Sequence, residues 1–157
     1  MDSLNLNIIN DEEHPILEYQ VLLNCFELVM QQHNIKDASV NVNIVSDDEI
    51  KSINKQFRNK DKPTNIISFE FEKPLGLPDG VIENFLGDMV IAPNVLEKEA
   101  KEQNKNLKDH WCHIFIHGLL HLLKYDHQND TDAYVMESLE IELLDKLNIP
   151  NPYLIRE

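Results

Sequence analysis

The sequence is poor in cysteine and contains no long hydrophobic run. Cys25 and Cys112 are the two cysteines among 157 residues, and they do not form a Cys-x-x-Cys pair. This spacing argues against a disulfide framework or a thiolate zinc knuckle and predicts two small buried side chains. No apolar stretch approaches the roughly 18 residues that cross a bilayer, and no secretory signal pattern is visible. We therefore expect a soluble, cytoplasmic protein without a membrane partner.

Positive charge is also scarce. The chain has 14 lysines and arginines against 28 acidic residues, which gives a formal net charge of -14 at pH 7. This balance excludes broad electrostatic adhesion to nucleic acid, which depends on cations that neutralise phosphates. The basic residues nevertheless cluster in two stretches, Lys51, Lys55, Arg58, Lys60 and Lys62, followed by Lys98, Lys101, Lys105 and Lys108.

The length of the chain predicts a single domain over residues 1–157. Alternating apolar residues predict strands at Leu4 to Ile8, Val40 to Ile44, Thr64 to Phe71 and Phe85 to Ile91. Helical spacing predicts helices from Pro15 to about His33, from a Ser46 cap to before Asp61, and, with breaks, from Asn94 to about Leu147. An exposed loop is predicted over Lys73 to Gly80. The expected fold is α+β, a small mixed β-sheet of about four strands packed with about five helices.

Histidines are concentrated in the last helical region. Five of the seven lie between His110 and His127, and His117, His121 and His127 have the spacing i, i+4 and i+10. Residues four apart share one face of a helix, so His117 and His121 can offer two imidazoles to one ion. A turn after Leu123 would bring His127 back as a third ligand.

Three neutral imidazoles leave a tetrahedral zinc ion with one open position, which is typical of catalytic zinc sites. Such an ion lowers the pKa of its bound water to about 7. We predict one zinc site per chain on the late helices, while nickel, copper and iron also suit imidazole ligands. His113 is a rival ligand and His110 a weaker one. Asp126 is expected either to orient a ligating imidazole or to act as a turn residue.

The same histidine spacing occurs in the metzincin peptidases, HExxHxxGxxH, but two positions differ here. Gly118 stands where those enzymes have the glutamate that acts as general base, which disfavours peptide hydrolysis. Lys124 stands where a glycine would adopt a left-handed conformation without strain. We expect Lys124 to be left-handed at this turn, at a cost of about 1 kcal/mol.

Three segments together resemble a known family. Residues 117–127 read HGLLHLLKYDH, residues 57–69 read FRNKDKPTNIISF, and residues 86–91 read LGDMVI. They resemble HGxLHLxGYDH, FRxxDxPTDVLSF and LGDIVI of the YbeY family of bacterial ribosomal RNA maturation factors. Lys124 replaces a glycine of the first motif, and Asn65 replaces an aspartate of the second.

This resemblance implies a zinc-dependent endoribonuclease that cleaves single strands during small-subunit ribosomal RNA 3′-end maturation and ribosome quality control. It matches His117, His121 and His127 to the metal ligands and Arg58 to a functionally important arginine, which makes Arg58 and His117 the expected catalytic residues. A guanidinium can hold a phosphate bidentately and stabilise charge that develops on it. Arg58, Lys55 and Lys60 are the expected substrate-binding residues, and we expect the lysines of both basic stretches to line an RNA channel.

The implied partners are ribosomal RNA and the ribosomal small subunit, with ribosomal proteins and GTPase assembly factors as further candidates and no DNA. Our hypothesis is that water or a ribose 2′-hydroxyl, activated by the ion, attacks a phosphodiester while Arg58 shares the growing negative charge. Two alternatives stay open. One is a non-catalytic, zinc-containing ribosome-assembly factor whose metal only rigidifies the fold, and the other, less favoured because of Gly118, is a metallopeptidase.

Overall fold

The computed structural model of the chain describes residues 3–72 and 84–154. Within these ranges the expected α+β fold with about four strands and about five helices is confirmed. The elements in chain order are β1 (Ser3–Ile9), α1 (Tyr19–Gln32), β2 (Asp37–Ile44), α2 (Asp47–Arg58), β3 (Ile66–Glu70), β4 (Phe85–Ile91), α3 (Pro93–Glu102), α4 (Leu107–Leu122) and α5 (Asp130–Lys146). The loop predicted over Lys73 to Gly80 lies outside the described residues.

The four strands form one mixed sheet in the order β1, β2, β4, β3. β2 pairs in parallel with both β1 and β4, whereas β3 pairs with β4 in antiparallel fashion. β3 is therefore an outermost strand of this sheet. Its outer edge is not covered by any strand of the described ranges, and this leaves backbone groups available at that edge.

Helices cover both faces of the sheet. The larger hydrophobic cluster joins one face to α1, α4 and α5, and the smaller cluster joins the other face to α2. Ile66 and Ile67, adjacent on β3, belong to different clusters because successive side chains of a strand point to opposite faces. The sheet is thus a layer between two cores, and β3 contributes to both of them.

The central helix of the larger layer is α4. Eleven of its 16 residues are buried, which is typical of a helix that is surrounded by protein. Past the first turn, His117 and His121 are the two residues of α4 that keep partial exposure. The helix therefore presents two imidazoles to the outside from an otherwise buried scaffold.

The helix α2 begins and ends close to the predicted positions. Ser46 Oγ accepts a hydrogen bond from the Glu49 backbone N–H at 3.2 Å, as expected for the predicted cap. The helix ends at Arg58, and Asn59 follows in a left-handed conformation with φ 57°. This end of α2 places the Arg58 side chain next to the beginning of β3.

The predicted start of α1 at Pro15 is wrong, because the helix begins at Tyr19. The Asn10 side chain bonds both backbone groups of His14, donating to its carbonyl and accepting from its N–H, each at 2.9 Å. Such side-chain bonds offer the backbone an alternative to helix. Ile16 and Leu17 still pack against the core, so their apolar character reflects burial of a non-helical segment.

The helical region after Asn94 divides into three helices, as the predicted breaks allow. Asn106 and Asn129 cap α4 and α5 by accepting backbone N–H bonds at 3.2 and 2.8 Å.

None of the described helices is long and apolar enough to cross a membrane. Cys25 on α1 and Cys112 on α4 are both buried free thiols, as predicted.

Candidate metal centre

The three histidines predicted to bind metal come together at the C-terminal end of α4. His117 and His121 lie one turn apart on the helix, and their Nε2 atoms are 3.0 Å from each other. His127 belongs to the segment between α4 and α5, and its ring centroid lies 5.5 Å from that of His117 and 5.0 Å from that of His121. One ligand atom from each histidine falls within 4.8 Å of the others. The centre thus involves one late helix and the segment that follows it.

Hydrogen bonds hold His117 and His121 in the tautomer that a metal requires. His117 Nδ1 lies 3.1 Å from Glu140 Oε2, and His121 Nδ1 lies 3.0 Å from the Tyr125 carbonyl oxygen. Carboxylate and carbonyl oxygens only accept hydrogen bonds, so in neutral imidazoles both Nδ1 atoms carry the proton. Both Nε2 lone pairs therefore point toward the same space.

These two lone pairs fit a shared cation. Two nitrogens bound to one tetrahedral zinc ion at about 2.0–2.1 Å lie about 3.3 Å apart, close to the 3.0 Å between the two Nε2 atoms. Without a cation or a proton between them, two such lone pairs would repel each other. The donor set of three imidazoles also leaves one coordination position open for water or substrate.

The turn that brings His127 back depends on Lys124. Its N–H donates to the His121 carbonyl at 2.9 Å, and the Tyr125 N–H donates to the Leu120 carbonyl at 3.0 Å. This is the hydrogen-bond pattern of a Schellman motif, in which the residue after the C-cap is left-handed. Lys124 has φ 75°, so the predicted turn after Leu123 and its left-handed lysine are confirmed. The same turn directs the Tyr125 carbonyl toward His121.

Asp126 acts as a turn residue. Its Oδ1 accepts the His127 backbone N–H at 2.7 Å, whereas the same oxygen is 3.8 Å from His127 Nδ1, beyond hydrogen-bond distance. Of the two roles considered from the sequence, the structure therefore favours the turn.

The two rival histidines lie farther up α4 and bind carboxylates. His113 Nε2 is 2.7 Å from Glu140 Oε1, and His110 Nε2 is 3.0 Å from Glu99 Oε1. Glu99 also accepts a hydrogen bond from Asn65 at 3.1 Å. Within residues 3–72 and 84–154, the group with metal-ligand geometry is His117, His121 and His127.

Glu140 is the site residue that the sequence reasoning missed. It lies on α5 with an exposed fraction of 0%, and it contacts both His113 and His117. A signal was available, since Glu140 shares the buried face of α5 with Met136, Leu143 and Leu144. A charged residue on an apolar helix face needs buried partners.

Burial and neighbouring groups set the protonation states of the centre. Burial lowers the pKa of His121, and the nearby His117 lowers it further. Burial would raise the pKa of Glu140, but hydrogen bonds from His113 and His117 overcome this and bring it to about 2. Near neutral pH the centre therefore combines a neutral imidazole with an ionised carboxylate, and metal binding to histidine requires the neutral ring.

Arg58 and the three histidines line one open cleft. The cleft runs along β3, and its lining residues are Arg58, Thr64, Asn65, Ile66, Ile67, Ser68, Glu70, His117, His121, Asp126, His127 and Gln128. The structure thus brings together four of the six predicted site residues. The arginine and the three histidines border the same space.

The predicted lysines do not line this cleft. Lys55 and Lys60 are exposed near Arg58 at the end of α2, and Lys55 Nζ lies 3.9 Å from an Asp61 carboxylate oxygen. Lys108 lies in the first turn of α4, about 20 Å along the helix from His121 at 1.5 Å per residue. No lysine of either basic stretch is among the residues that line the cleft, so an RNA channel lined by these lysines stays a prediction.

The outer edge of β3 supplies backbone groups to the cleft. The Phe71 N–H donates to Leu86, and Asn65 accepts from the Ala92 N–H, so odd-numbered residues of this segment bond to β4. In an antiparallel pair the intervening residues point their backbone groups the other way. The N–H and C=O groups of Ile66, Ser68 and Glu70 therefore face the outer edge, and all three residues line the cleft.

Gly118 cannot be replaced by a larger residue without displacing its neighbours. A Cβ at this position would lie 2.5 Å from Ile66 Cδ1 and 2.6 Å from Met89 Cε. In the metzincin pattern this position holds the glutamate that acts as general base. Here the position faces the packed interface of α4 with β3 and β4, so the peptidase arrangement does not fit.

A three-histidine centre that opens onto a cleft, with an arginine also lining that cleft, is the arrangement of a catalytic metal site of the hydrolase class. Residues 7–148 match the family model described as Endoribonuclease YbeY. The chain belongs to this YbeY endoribonuclease family.

Named relatives and a solved structure agree with this assignment. The chain is 69% identical over 157 residues to Endoribonuclease YbeY of Francisella tularensis subsp. novicida, covering 100% of this chain and 97% of the relative. It is equally similar, at 69%, to the protein of the same description from F. tularensis subsp. tularensis strain FSC 198, with 100% and 94% coverage. A solution structure from Thermotoga maritima superimposes with a TM-score of 0.59 at 30% identity and covers 90% of this chain and 88% of that one.

Lys124→Gly should stabilise the protein, because glycine adopts φ 75° without the steric cost that a lysine side chain carries. The expected gain is about 1 kcal/mol relative to Lys124→Ala, which removes the same 3.1 Å contact with Glu70 but keeps a Cβ. Urea unfolding and thermal melts of the three proteins, with and without zinc, measure this difference. A melting temperature of Lys124→Gly below that of Lys124→Ala in both conditions would contradict the strained turn.

Proposed function

We propose that this single-domain protein is a metal-dependent endoribonuclease that cleaves single-stranded RNA. Its proposed task is the maturation of the 3′ end of small-subunit ribosomal RNA in the cytoplasm, together with ribosome quality control. The observation that carries the proposal is the convergence of three imidazoles and one arginine on a single cleft. The proposed partners are the ribosomal small subunit, its proteins and GTPase assembly factors.

The proposed metal ligands are His117, His121 and His127, holding one zinc ion per chain. When bound, such an ion lowers the pKa of water and stabilises negative charge on a phosphate oxygen. The tautomers of His117 and His121 support this assignment, because each ring offers an unprotonated Nε2 to the centre. Three imidazoles do not by themselves select zinc over nickel, copper or iron, so metal analysis of the purified protein is part of the test.

Arg58 is proposed to bind the scissile phosphate. Its guanidinium is permanently charged and can bind two phosphate oxygens at once. Because Arg58 and the histidines line the same cleft, a phosphate between them can contact both. Positive charge fixed at that point would stabilise the charge that develops when a water or a 2′-hydroxyl attacks phosphorus. Arg58 and His117 are thus the proposed catalytic residues, His117 through the ion that it binds.

The RNA strand is proposed to lie along the outer edge of β3. Backbone N–H and C=O groups of Ile66, Ser68 and Glu70 face this edge and can bond phosphates, 2′-hydroxyls or base edges. Lys55 and Lys60 lie beyond Arg58 and would attract the strand as it leaves the cleft. With a net charge of -14, binding should be confined to this region and weaken strongly as salt increases.

Substitution of a proposed ligand should release the metal. The wild-type protein is expected to contain about one divalent ion per chain, and His121→Ala is expected to lose most of it, because two imidazoles hold zinc far more weakly than three. His14→Ala, which removes a histidine remote from the centre, is the matched control. Plasma emission analysis of the purified proteins gives the stoichiometry. Full occupancy in both His121→Ala and His127→Ala, with loss in His113→Ala, would contradict the ligand assignment.

Arg58→Ala should reduce cleavage of a single-stranded RNA by about 100-fold or more, with metal content and melting temperature unchanged. Arg58→Lys should restore little, because an ammonium cannot bind two phosphate oxygens at once. Lys51→Ala removes an exposed cation from the same helix and is the control for loss of net charge. Initial rates on a labelled RNA under single-turnover conditions provide the comparison.

Two results of the same assay would assign other roles. Metal loss or unfolding in Arg58→Ala would make the arginine structural. A wild-type protein that is fully loaded with metal and cleaves no RNA would favour the non-catalytic assembly factor.

A further inference from the structure

Glu140 is a charged residue in the hydrophobic core. It projects from α5 among residues of the larger cluster, and its exposed fraction is 0%. Removing a carboxylate from water is costly unless several hydrogen bonds replace the water. A glutamate in such a position therefore needs hydrogen-bond partners, and the identity of those partners indicates its function.

Three donors surround the Glu140 carboxylate. Oε1 accepts from His113 Nε2 at 2.7 Å and from the Tyr153 hydroxyl at 2.7 Å. Oε2 lies 3.1 Å from Nδ1 of His117. Tyr153 comes from the segment that follows α5, so the contact reaches from the C-terminal part of the described chain to the end of α4.

We infer that Glu140 is the positioning residue of the metal centre. It fixes His117 with Nδ1 protonated and Nε2 directed at the ion. Tyr153 and His113 in turn hold the Glu140 carboxylate in place. This inference rests on the proposed metal centre. It assigns no direct contact between Glu140 and the ion or the RNA. Ligating histidines commonly donate their second ring N–H to a carboxylate, which fixes the ring and increases its basicity.

The two donors on Oε1 leave Oε2 for His117. His113 and Tyr153 approach one oxygen, and the ring centroids of these two residues are 5.3 Å apart in an edge-to-face arrangement. Their packing restricts rotation of the carboxylate, so Oε2 stays directed at His117 Nδ1. The position of a metal ligand on α4 is thus coupled to α5 and to the segment after it.

A carboxylate suits this position and an amide does not. Glutamate accepts all three bonds, since both oxygens are acceptors. In Glu140→Gln, one oxygen becomes an NH2 group that can only donate, and it must face either His117 Nδ1 or the pair of donors on the other side. If it faces His117, the ring is driven to carry its proton on Nε2, where the metal would bind.

The experiment measures metal affinity and not RNA cleavage. Wild type, Glu140→Gln and Tyr153→Phe are freed of metal and titrated with Zn²⁺ against a chromophoric chelator, and their Co²⁺ complexes are compared by visible absorption. Glu137→Gln, an exposed glutamate one turn earlier on α5, and Tyr134→Phe, an exposed tyrosine on the same helix, are the matched controls.

We expect Glu140→Gln to bind Zn²⁺ 10 to 100 times more weakly than wild type and to give an altered Co²⁺ spectrum. Tyr153→Phe, which keeps the ring and loses the hydroxyl, should weaken binding by a smaller factor and shift the spectrum in the same direction. Both control variants should match wild type in affinity and spectrum. The spectrum separates positioning from stability, because a loss of stability alone does not change the ligand field of bound Co²⁺.

Wild-type affinity and an unchanged Co²⁺ spectrum in a folded Glu140→Gln would overturn the inference. If Glu140→Gln does not fold, Tyr153→Phe decides, and a Tyr153→Phe protein identical to Tyr134→Phe in both readouts would overturn it. Failure of the proposed function is a separate result. A wild-type protein that binds metal without cleaving RNA refutes the nuclease proposal and leaves these titrations valid, whereas a wild type that binds no metal refutes both.

Discussion

The Nε2 atoms of His117 and His121 lie 3.0 Å apart at the end of a buried helix, and both rings donate from Nδ1 to fixed acceptors. Holding two lone pairs at this distance is unfavourable without a cation, so the surrounding structure must supply the constraint. Close packing of α4 on β3 and β4 at Gly118 fixes the helix. Glu140 and the Tyr125 carbonyl then fix the two rings, and the turn at Lys124 orients both the carbonyl and His127.

Two departures from the family motifs have local compensations. Asn65, in place of aspartate, donates to Glu99 at 3.1 Å, a contact in which a second carboxylate would repel. Lys124, in place of glycine, reaches Glu70 with its Nζ 3.1 Å from Oε2, at the edge of the cleft. Both side chains of that ion pair are substantially exposed, so its contribution to stability is small. Its larger effect is to neutralise a carboxylate that borders the cleft, which favours an anionic substrate there.

Periodicity and motif spacing were enough to predict most of the strands and helices, and hence the α+β class, together with the Ser46 cap and the left-handed Lys124, because each of these elements shows a pattern within a short stretch of sequence. The start of α1 was mispredicted because burial of Ile16 and Leu17 imitates helical spacing, while the Asn10 side chain binds the His14 backbone. The order of the strands and the exposed edge of β3 depend on pairings between distant segments, which local patterns in a single sequence do not reveal.

The candidate site was likewise predictable only in part. His117, His121 and His127 form a recognisable spacing, and Arg58 could be placed beside them through the family resemblance. Glu140 and Tyr153 were not predicted, because their contacts join residues that are far apart in the sequence. Glu140 contacts His117, which is 23 residues away, and Tyr153 contacts His113, which is 40 residues away. The second basic stretch was assigned to the channel from composition, but Lys98 and Lys101 lie on α3, and the length of α4 separates Lys108 from the cleft.

The central claim is that three imidazoles and no other protein side chain hold the metal. X-ray absorption at the zinc edge of the loaded protein tests it directly, since imidazole nitrogen and thiolate sulfur differ in distance from zinc, about 2.0–2.1 Å against about 2.3 Å. We predict a first coordination shell of three imidazole nitrogens and one oxygen, without sulfur. A sulfur shell, or a fourth imidazole such as that of His113, would contradict the account.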